Sequence, residues 1–362
     1  MIELDDQRSK RIGFHVLCQQ NNRAKRILKK EGIPGEEVFS LSSRQLAACG
    51  YAEKEIKDIT SDGGRAAANE WEKAHDHGID IIFSEDADFP PLLAEALDAP
   101  DFIYFQGRRE WLKQEMLAVV GSRQASAYGY ASLNAILPPV CRSGLVIVSG
   151  MAHGIDSAAH RLALREKTGT LGINAGGLLH PYPPGNRSLI GQLRQEGGII
   201  SEFPLDVVPR PFLFPVRNRL IAGIAKAVLV VEAAMKSGSL ITARLALEQN
   251  RDVFAVPGNI DTPLSQGTNY LIQQGAKLIR QAGDILAEYG REAPIADTAS
   301  VPLTASEREI LDLMGANELK GIDYLVEHLN RSTGEVISLL MGLVLKNLIQ
   351  EEGGGYRRIH EG

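Results

Sequence analysis

Several things are scarce or missing in this 362-residue chain, and each absence closes off a class of function. Its cysteines, Cys18, Cys49 and Cys141, are few, scattered and odd in number. That excludes a disulfide scaffold, and without a C-x-x-C pair it offers no redox or zinc motif; such usage fits a reducing cytosol. His75 and His77 have no third ligand type beside them, so no metal site is expected there, and no cofactor is expected. There is no signal peptide and no apolar run of about 18 residues, so the expectation is a soluble cytoplasmic chain with no membrane segment. A net charge of −6 excludes a surface coated in basic residues, although a local basic pocket can sit on an acidic whole. Neither G-x-G-x-x-G nor G-x-x-x-x-G-K-[ST] occurs at a strand–helix junction, which sets aside the dinucleotide fingerprint and the triphosphate loop.

What is present is an ordinary globular composition, 44% hydrophobic and 23% charged, long enough for two or three domains. The stretch from Phe214 to Ala243 organises the rest. Pro215-Val216-Arg217-Asn218-Arg219 puts two guanidinium groups either side of an amide. Ala227 to Val231 is a continuous apolar run, which suits a strand buried on both faces of a parallel sheet. Ser237-Gly238-Ser239 follows it and opens a helical pattern, where an open α/β sheet presents backbone N–H groups to an anion.

Apolar runs recur with helices between them at Met116–Val120, Leu145–Ser149, Thr170–Asn174, Gly198–Ser201, Ala227–Glu232, Asp252–Val256 and Lys277–Arg280. This alternation predicts a mostly parallel, doubly wound Rossmann-like sheet over residues 66–282. Ahead of it, residues 1–65 read as a small helical module of the sterile-alpha-motif or helix-hairpin-helix kind. Arg23, Lys25, Arg26, Lys29 and Lys30 line one of its helices, and short helices follow at Ser43–Ala48 and Ala52–Ile59. The basic helix suits non-specific backbone binding, and equally the solvated face of a packing module. Residues 283–302 read as a linker. Residues 303–362 carry helices at Ser306–Met314, Gly321–Leu329 and Thr333–Leu348, then a hairpin, an order that resembles a winged-helix domain. The third helix offers only Glu335, Lys346 and Asn347, which favours a protein partner over base reading.

Right-handed crossovers bring the strand C-termini to one edge. The loops there are Gly121-Ser122-Arg123, Ser149-Gly150 through Gly154, and Ser237-Gly238-Ser239. Glycines let the backbone approach a ligand, and helix N-termini would point at it. Arg123, Arg217 and Arg219 add planar charged donors and Asn218 an amide, which points to a phosphate-rich ligand. Phe214 can offer a face to a base or pack in the core. Asp156 can cap the helix that follows it. Glu202 and Glu232 can pair with Arg217 or Arg219 and orient them. No nucleophile–base–orienter set is legible, so no catalytic residue is assigned.

These residues carry a resemblance. Val120-Gly121-Ser122-Arg123 with Ser126, Tyr128 and Gly129, Ser149-Gly150 with Gly154-Ile155-Asp156 and His160, Ser201-Glu202-Phe203-Pro204, Phe214-Pro215 with Arg217-Asn218-Arg219, Glu232 with Ser237-Gly238-Ser239, and Val256-Pro257-Gly258 resemble, in order, the motifs of the DNA-processing protein A (DprA/Smf) family. The resemblance implies an extended Rossmann-like core that binds single-stranded DNA, protects it and helps load RecA recombinase in natural transformation. It further implies a homodimer and no enzymatic activity. In one respect the chain departs from the family. Leu179 stands where an aspartate usually precedes the Tyr-Pro pair, here Tyr182-Pro183. The alternative is a nucleotide-binding enzyme or sensor akin to the Rossmann-like phosphoribohydrolases. That family's Gly-Gly-x-Gly-Thr run is Ser237-Gly238-Ser239-Leu240-Ile241-Thr242 here, with Arg244 where a glutamate would fall.

Overall fold

The computed structural model describes residues 5–18, 22–96, 98–292, 304–314, 319–329, 331–345, 348–352 and 354–358. It divides into two units, residues 1–293 and 294–362.

The first unit is built on a nine-stranded sheet. Its strands are β1 (Asp80–Phe83), β2 (Phe102–Gly107), β3 (Met116–Val120), β4 (Val146–Ser149), β5 (Thr170–Ile173), β6 (Gly198–Ser201), β7 (Ala227–Val230), β8 (Asp252–Ala255) and β9 (Lys277–Leu278). Their spatial order is β1-β2-β6-β5-β4-β3-β7-β8-β9. From β6 across to β9 every pairing is parallel; β2 joins β6, and β1 joins β2, antiparallel. The chain steps from β3 outward to β6, then crosses back to place β7 on the other side of β3. The strand order therefore reverses between β3 and β7, and the loops leaving these two strands diverge and open a crevice.

Alternation along β3 sends Met116, Ala118 and Val120 to one face and Leu117 and Val119 to the other. The first face packs against Leu220, Ile221, Ala243 and Ala246 of the helices Leu213–Ile224 and Gly238–Glu248. The second packs against Leu133, Leu137, Ala159 and Ala163 of the helices Ala127–Arg142 and Ile155–Arg165. Ile285, Leu286 and Tyr289 complete that second face, and the Tyr289 hydroxyl donates to Met116 O at 2.9 Å. The expected linker from residue 283 is thus corrected as far as 292, because apolar burial draws this segment into the core. Its remainder, 293–302, lies outside the described residues.

The expected boundary at residue 65 is corrected too. One helix runs from Glu53 to Asp76, well past Ile59, where the helix from Ala52 was expected to end. Burial of Ile59, Ala67, Glu70 and Ala74 along it outweighs the local glycine penalty. Glu70 accepts from the Tyr104 hydroxyl at 2.9 Å and from Leu205 N–H at 2.7 Å, fastening this helix to the sheet. Burial holds its carboxyl above the usual carboxylate range. The helix Asp6–Cys18 is fastened likewise. Arg8 and Arg11 lie over the Phe83 ring and pair with Asp86 and Glu85. A smaller core of Cys18, Ala24, Leu28, Val38, Leu46, Cys49, Tyr51 and Ile59 closes these N-terminal helices.

The second unit has helices Ala305–Leu313, Ile322–Leu329 and Thr333–Leu345, with a three-stranded antiparallel sheet of β10 (Leu319–Lys320), β12 (Gly355–Arg358) and β11 (Ile349–Glu352). Its core includes Ile310, Leu325, Leu340, Leu343 and Tyr356. Lys346 and Asn347 lie outside the described residues.

Candidate nucleic-acid interface

A cleft of about 490 Å³ opens at the crevice between β3 and β7. Gly121, Ser122 and Arg123 line it from the loop after β3, and Ser237, Gly238 and Ser239 from the loop after β7. Phe214, Arg217, Asn218 and Ile221 come from one face of the helix Leu213–Ile224, at i, i+3, i+4 and i+7. Ser239 Oγ donates to Gly121 O at 2.9 Å and ties the two loops together.

The arginines differ sharply. Arg123 is exposed, with its guanidinium 5.4 Å from the centroid of the Phe214 ring. Arg217 is only 4% exposed. It donates to Gly150 O at 2.8 Å and to Ile173 O, so it ties the C-terminal ends of β4 and β5 together. It also donates to Asn218 Oδ1 at 3.3 Å and lies 5.9 Å from the Phe214 centroid. Burial pushes its pKa down to about 10, opposed by Asp156, so it remains charged at neutral pH. Burial in turn holds the Asp156 carboxyl above the usual carboxylate range, against the pull of Arg217. Arg219 is not in the cleft. Its guanidinium pairs with Glu202 and donates to Asp98 O, and it lines a different cavity. Residues two apart on a helix point about 200° apart, so Arg217 and Arg219 cannot share a ligand pocket.

Three helix N-termini reach this edge, but two already hold a carboxylate. Glu232 is 1% exposed and accepts from Ser126 N–H at 2.9 Å and Ser126 Oγ at 2.5 Å, at the start of the helix Ala127–Arg142. Gly129 leaves the space Glu232 fills. Its expected role of orienting an arginine is corrected to neutralising a helix end. Asp156 sits in the first turn of the helix Ile155–Arg165, behind Gly154 (φ 77°), and accepts from Ala152 N–H at 3.4 Å. The N-terminus of Gly238–Glu248 is the open one. Ser237 Oγ caps Leu240 N–H there at 3.4 Å, and among the described residues Gly238 and Ser239 N–H have no protein acceptor.

Of the other expected site residues, Ser149 is buried and donates to Val119 O at 2.6 Å, bracing the strands. Gly150 serves through its carbonyl on Arg217. Gly154 carries a positive φ, and a Cβ there would meet the backbone of Ser122 and Arg123, so it shapes the loop without lining the cleft.

Sequence reasoning missed Tyr182, which lines the cleft, is 40% exposed and meets the Phe214 ring edge-on at 5.3 Å. Its one legible signal is an aromatic in the loop after β5. Asn174 shapes that loop, donating from Nδ2 to Gly176 O at 2.9 Å and Gly177 O at 3.0 Å and accepting from Tyr182 N–H at 3.2 Å. Leu179, in place of the expected aspartate, packs on the apolar cluster around Leu178 and Leu205.

Behind the cleft, His160 is fully buried. The Thr170 hydroxyl donates to Ile147 O at 2.9 Å, so His160 must donate from Nδ1 to Thr170 Oγ1, at 2.7 Å. Burial pushes its pKa down to about 3. Among the described residues no group of three or more His, Cys, Asp or Glu could hold a metal ion, and no helix is long and apolar enough to cross a membrane.

The family model described as DNA recombination-mediator protein A matches residues 80–290. Protein Smf of Escherichia coli K12 is 37% identical over 293 residues, 77% of each chain. DNA processing protein DprA of Bacillus subtilis is 39% identical over 247 residues, 64% of this chain and 83% of its own. The crystal structure of DNA processing protein A from Streptococcus pneumoniae superposes with a TM-score of 0.63 at 33% identity, covering 77% of this chain and 95% of that one. The structure of the Helicobacter pylori protein, solved for its single-stranded DNA binding mode, matches with a TM-score of 0.53 at 29% identity, over 58% of this chain and 95% of that one.

Proposed function

The chain belongs to the DNA recombination-mediator protein A family, a family of DNA-processing mediators and not of catalysts, and from that premise we propose that it binds single-stranded DNA in the cleft between β3 and β7. The observation that carries this reading is the Phe214 ring, with the guanidinium groups of Arg123 and Arg217 5.4 and 5.9 Å from its centroid, edge-on to Tyr182 and beside an open helix N-terminus. Cations and backbone N–H groups hold successive phosphates, and the ring offers a face on which any base can stack. Sequence preference is weak, since phosphate contacts position a strand without reading it. The single-strand binding described for the Helicobacter pylori relative supports the same class of ligand.

In this reading the chain protects incoming single strands and helps load RecA recombinase in natural transformation, acting as a homodimer in the cytoplasm. A few charges per cleft give modest affinity, and two clefts on one strand multiply it. The element order of residues 304–358 supports a winged-helix unit. Its helix Thr333–Leu345 carries no Lys or Arg, which favours a protein partner over base reading.

Fluorescence anisotropy on single- and double-stranded oligonucleotides across a salt series tests the proposal. Preference for single strands is expected, with affinity falling as salt rises. Phe214→Ala should lose about 1–3 kcal/mol of binding. No binding to either nucleic acid, together with a melting temperature raised by nucleoside monophosphates, would move the cleft to the nucleotide-enzyme reading.

A further inference from the structure

The cleft is lined by the inner face of the helix Leu213–Ile224, but the most conspicuous aromatic nearby lies just outside it. Phe212, at the helix N-cap, is 63% exposed. Its side chain makes no capping bond, although this position favours Ser, Thr, Asp or Asn. Burial does not account for the residue and neither does capping. Val216, one turn on and therefore on the same side, is exposed as well. Phe214, two residues from Phe212, points into the cleft from a different side.

Phe212 is also held firmly. The segment leading to it carries Pro204, Pro209 and Pro211, whose rings fix the backbone. That segment is laid on the loop after β5. Gly177 N–H donates to Val207 O at 2.8 Å and Leu179 N–H to Leu205 O at 3.3 Å. A Cβ on Gly176 would meet the Pro209 ring at 2.8 Å. Leu213 N–H closes a turn onto Arg210 O at 2.9 Å. Pro211 lines the cleft itself, so the surface is continuous from Phe214 outward to Phe212. Arg210, two residues earlier in the chain, is exposed as well.

We propose that Phe212 is a second base platform, on which a single strand leaving Phe214 continues outside the cleft, with Arg210 on its backbone. The inference rests on the single-strand reading of the cleft. Rigid aromatics beside cations are what single-strand binding surfaces use to stack successive bases. A cleft of about 490 Å³ is too small for a long strand, which must run over whatever lies at its mouth.

The test is anisotropy with oligothymidylates of about 4 and about 16 nucleotides, the span of site sizes of known single-strand binding modules. Phe212→Ala should weaken binding of the long oligonucleotide about 5- to 150-fold, the worth of one stacked base, and leave the short one unchanged. Phe212→Tyr should restore the long-strand affinity and Phe212→Leu should not, because stacking needs a ring. The melting temperatures of all three should match wild type, since the side chain is exposed. Equal affinity of wild type and Phe212→Ala at both lengths overturns the second platform while leaving the cleft reading intact. Rescue by Leu as good as by Tyr also overturns it, and assigns the patch to an apolar contact. Failure of wild type to bind either length defeats the cleft reading itself.

Discussion

One helix, Leu213–Ile224, separates two cavities of the same size, about 490 Å³ each, whose chemistry is opposite. On one side Arg123, Arg217 and an open helix N-terminus surround an aromatic ring, with Asp156 as the counter-charge. On the other, Asp98, Asp101 and Glu202 surround Arg219, and the N-terminal helices contribute Phe14, His15 and Leu28. Volume alone would not distinguish them. A polyanion is drawn to the first by the exposed Arg123 and the open N–H groups of Gly238 and Ser239, and excluded from the second by carboxylates. Two arginines in one motif are therefore divided between two tasks: Arg217 faces the ligand side and Arg219 holds the body together.

The comparison is broken most forcefully at Arg217. Its guanidinium is buried on two backbone carbonyls and beside Asp156. Arg217→Ala leaves those acceptors and a carboxylate in a dry site, and a stability loss of about 3–5 kcal/mol is expected. Binding should disappear with it. Chemical denaturation measures the first and anisotropy the second. A variant with wild-type stability and no binding would show that the guanidinium serves only the ligand.

The cleft's foundation is also sensitive to acid. Unfolded, His160 takes a proton near pH 6.5; folded, not until about pH 3. Between those values the unfolded state binds more protons, so stability falls as pH drops below about 6.5, by at most about 1.4 kcal/mol per pH unit. Denaturation curves from pH 7 to 5 should show this slope, and His160→Gln should flatten it. A wild-type slope that His160→Gln leaves unchanged would mean that the imidazole is not held neutral.

Arg123 sharpens the contrast from the ligand side. It is exposed, and among the described residues it makes no ion pair. Arg123→Ala should keep the wild-type melting temperature, weaken single-strand binding about tenfold, and reduce the slope of log affinity against log salt by about 1. An unchanged salt slope would take Arg123 off the phosphate path.

Much of this was legible in the sequence. Continuous apolar runs gave the parallel strands, because a strand covered on both faces needs no alternation. The loops after β3 and β7 were found because glycine, serine and arginine follow those runs. The rest depended on tertiary facts. Ser149 looks like a ligand-facing hydroxyl until Val119 O is seen beside it. Glu232 looks like an arginine partner until the folded chain sets it against Ser126, more than a hundred residues away. The helix from Ala52 reads as ending at Ile59, yet packing along Glu53–Asp76 carries it on through Gly63-Gly64. Tyr182 is set by Asn174 and the glycine loop, and no periodicity marks it. The division of Arg217 from Arg219 was the most accessible of the misses, since a helix starting at Leu213 already puts them on different sides.

Arg219 gives the smallest effect on binding and the most direct check of that division. Its partners, Glu202 and Asp98 O, stand on the loop after β6 and on the segment before β2, away from the cleft. Truncating it leaves a largely buried carboxylate short of one charged partner, so Arg219→Ala should lower stability by about 1–3 kcal/mol. Single-strand affinity should stay within about twofold of wild type, since a guanidinium already held by a carboxylate adds little counterion release. Arg219→Lys should recover part of the stability, because an ammonium keeps the charge but not the fork geometry. If Arg219→Ala instead weakened binding as much as Arg123→Ala, with a shallower salt slope, the strand would have to pass over both cavities. The carboxylates around Arg219 would then have to turn away from it, and the two sides of the helix would form a single interface.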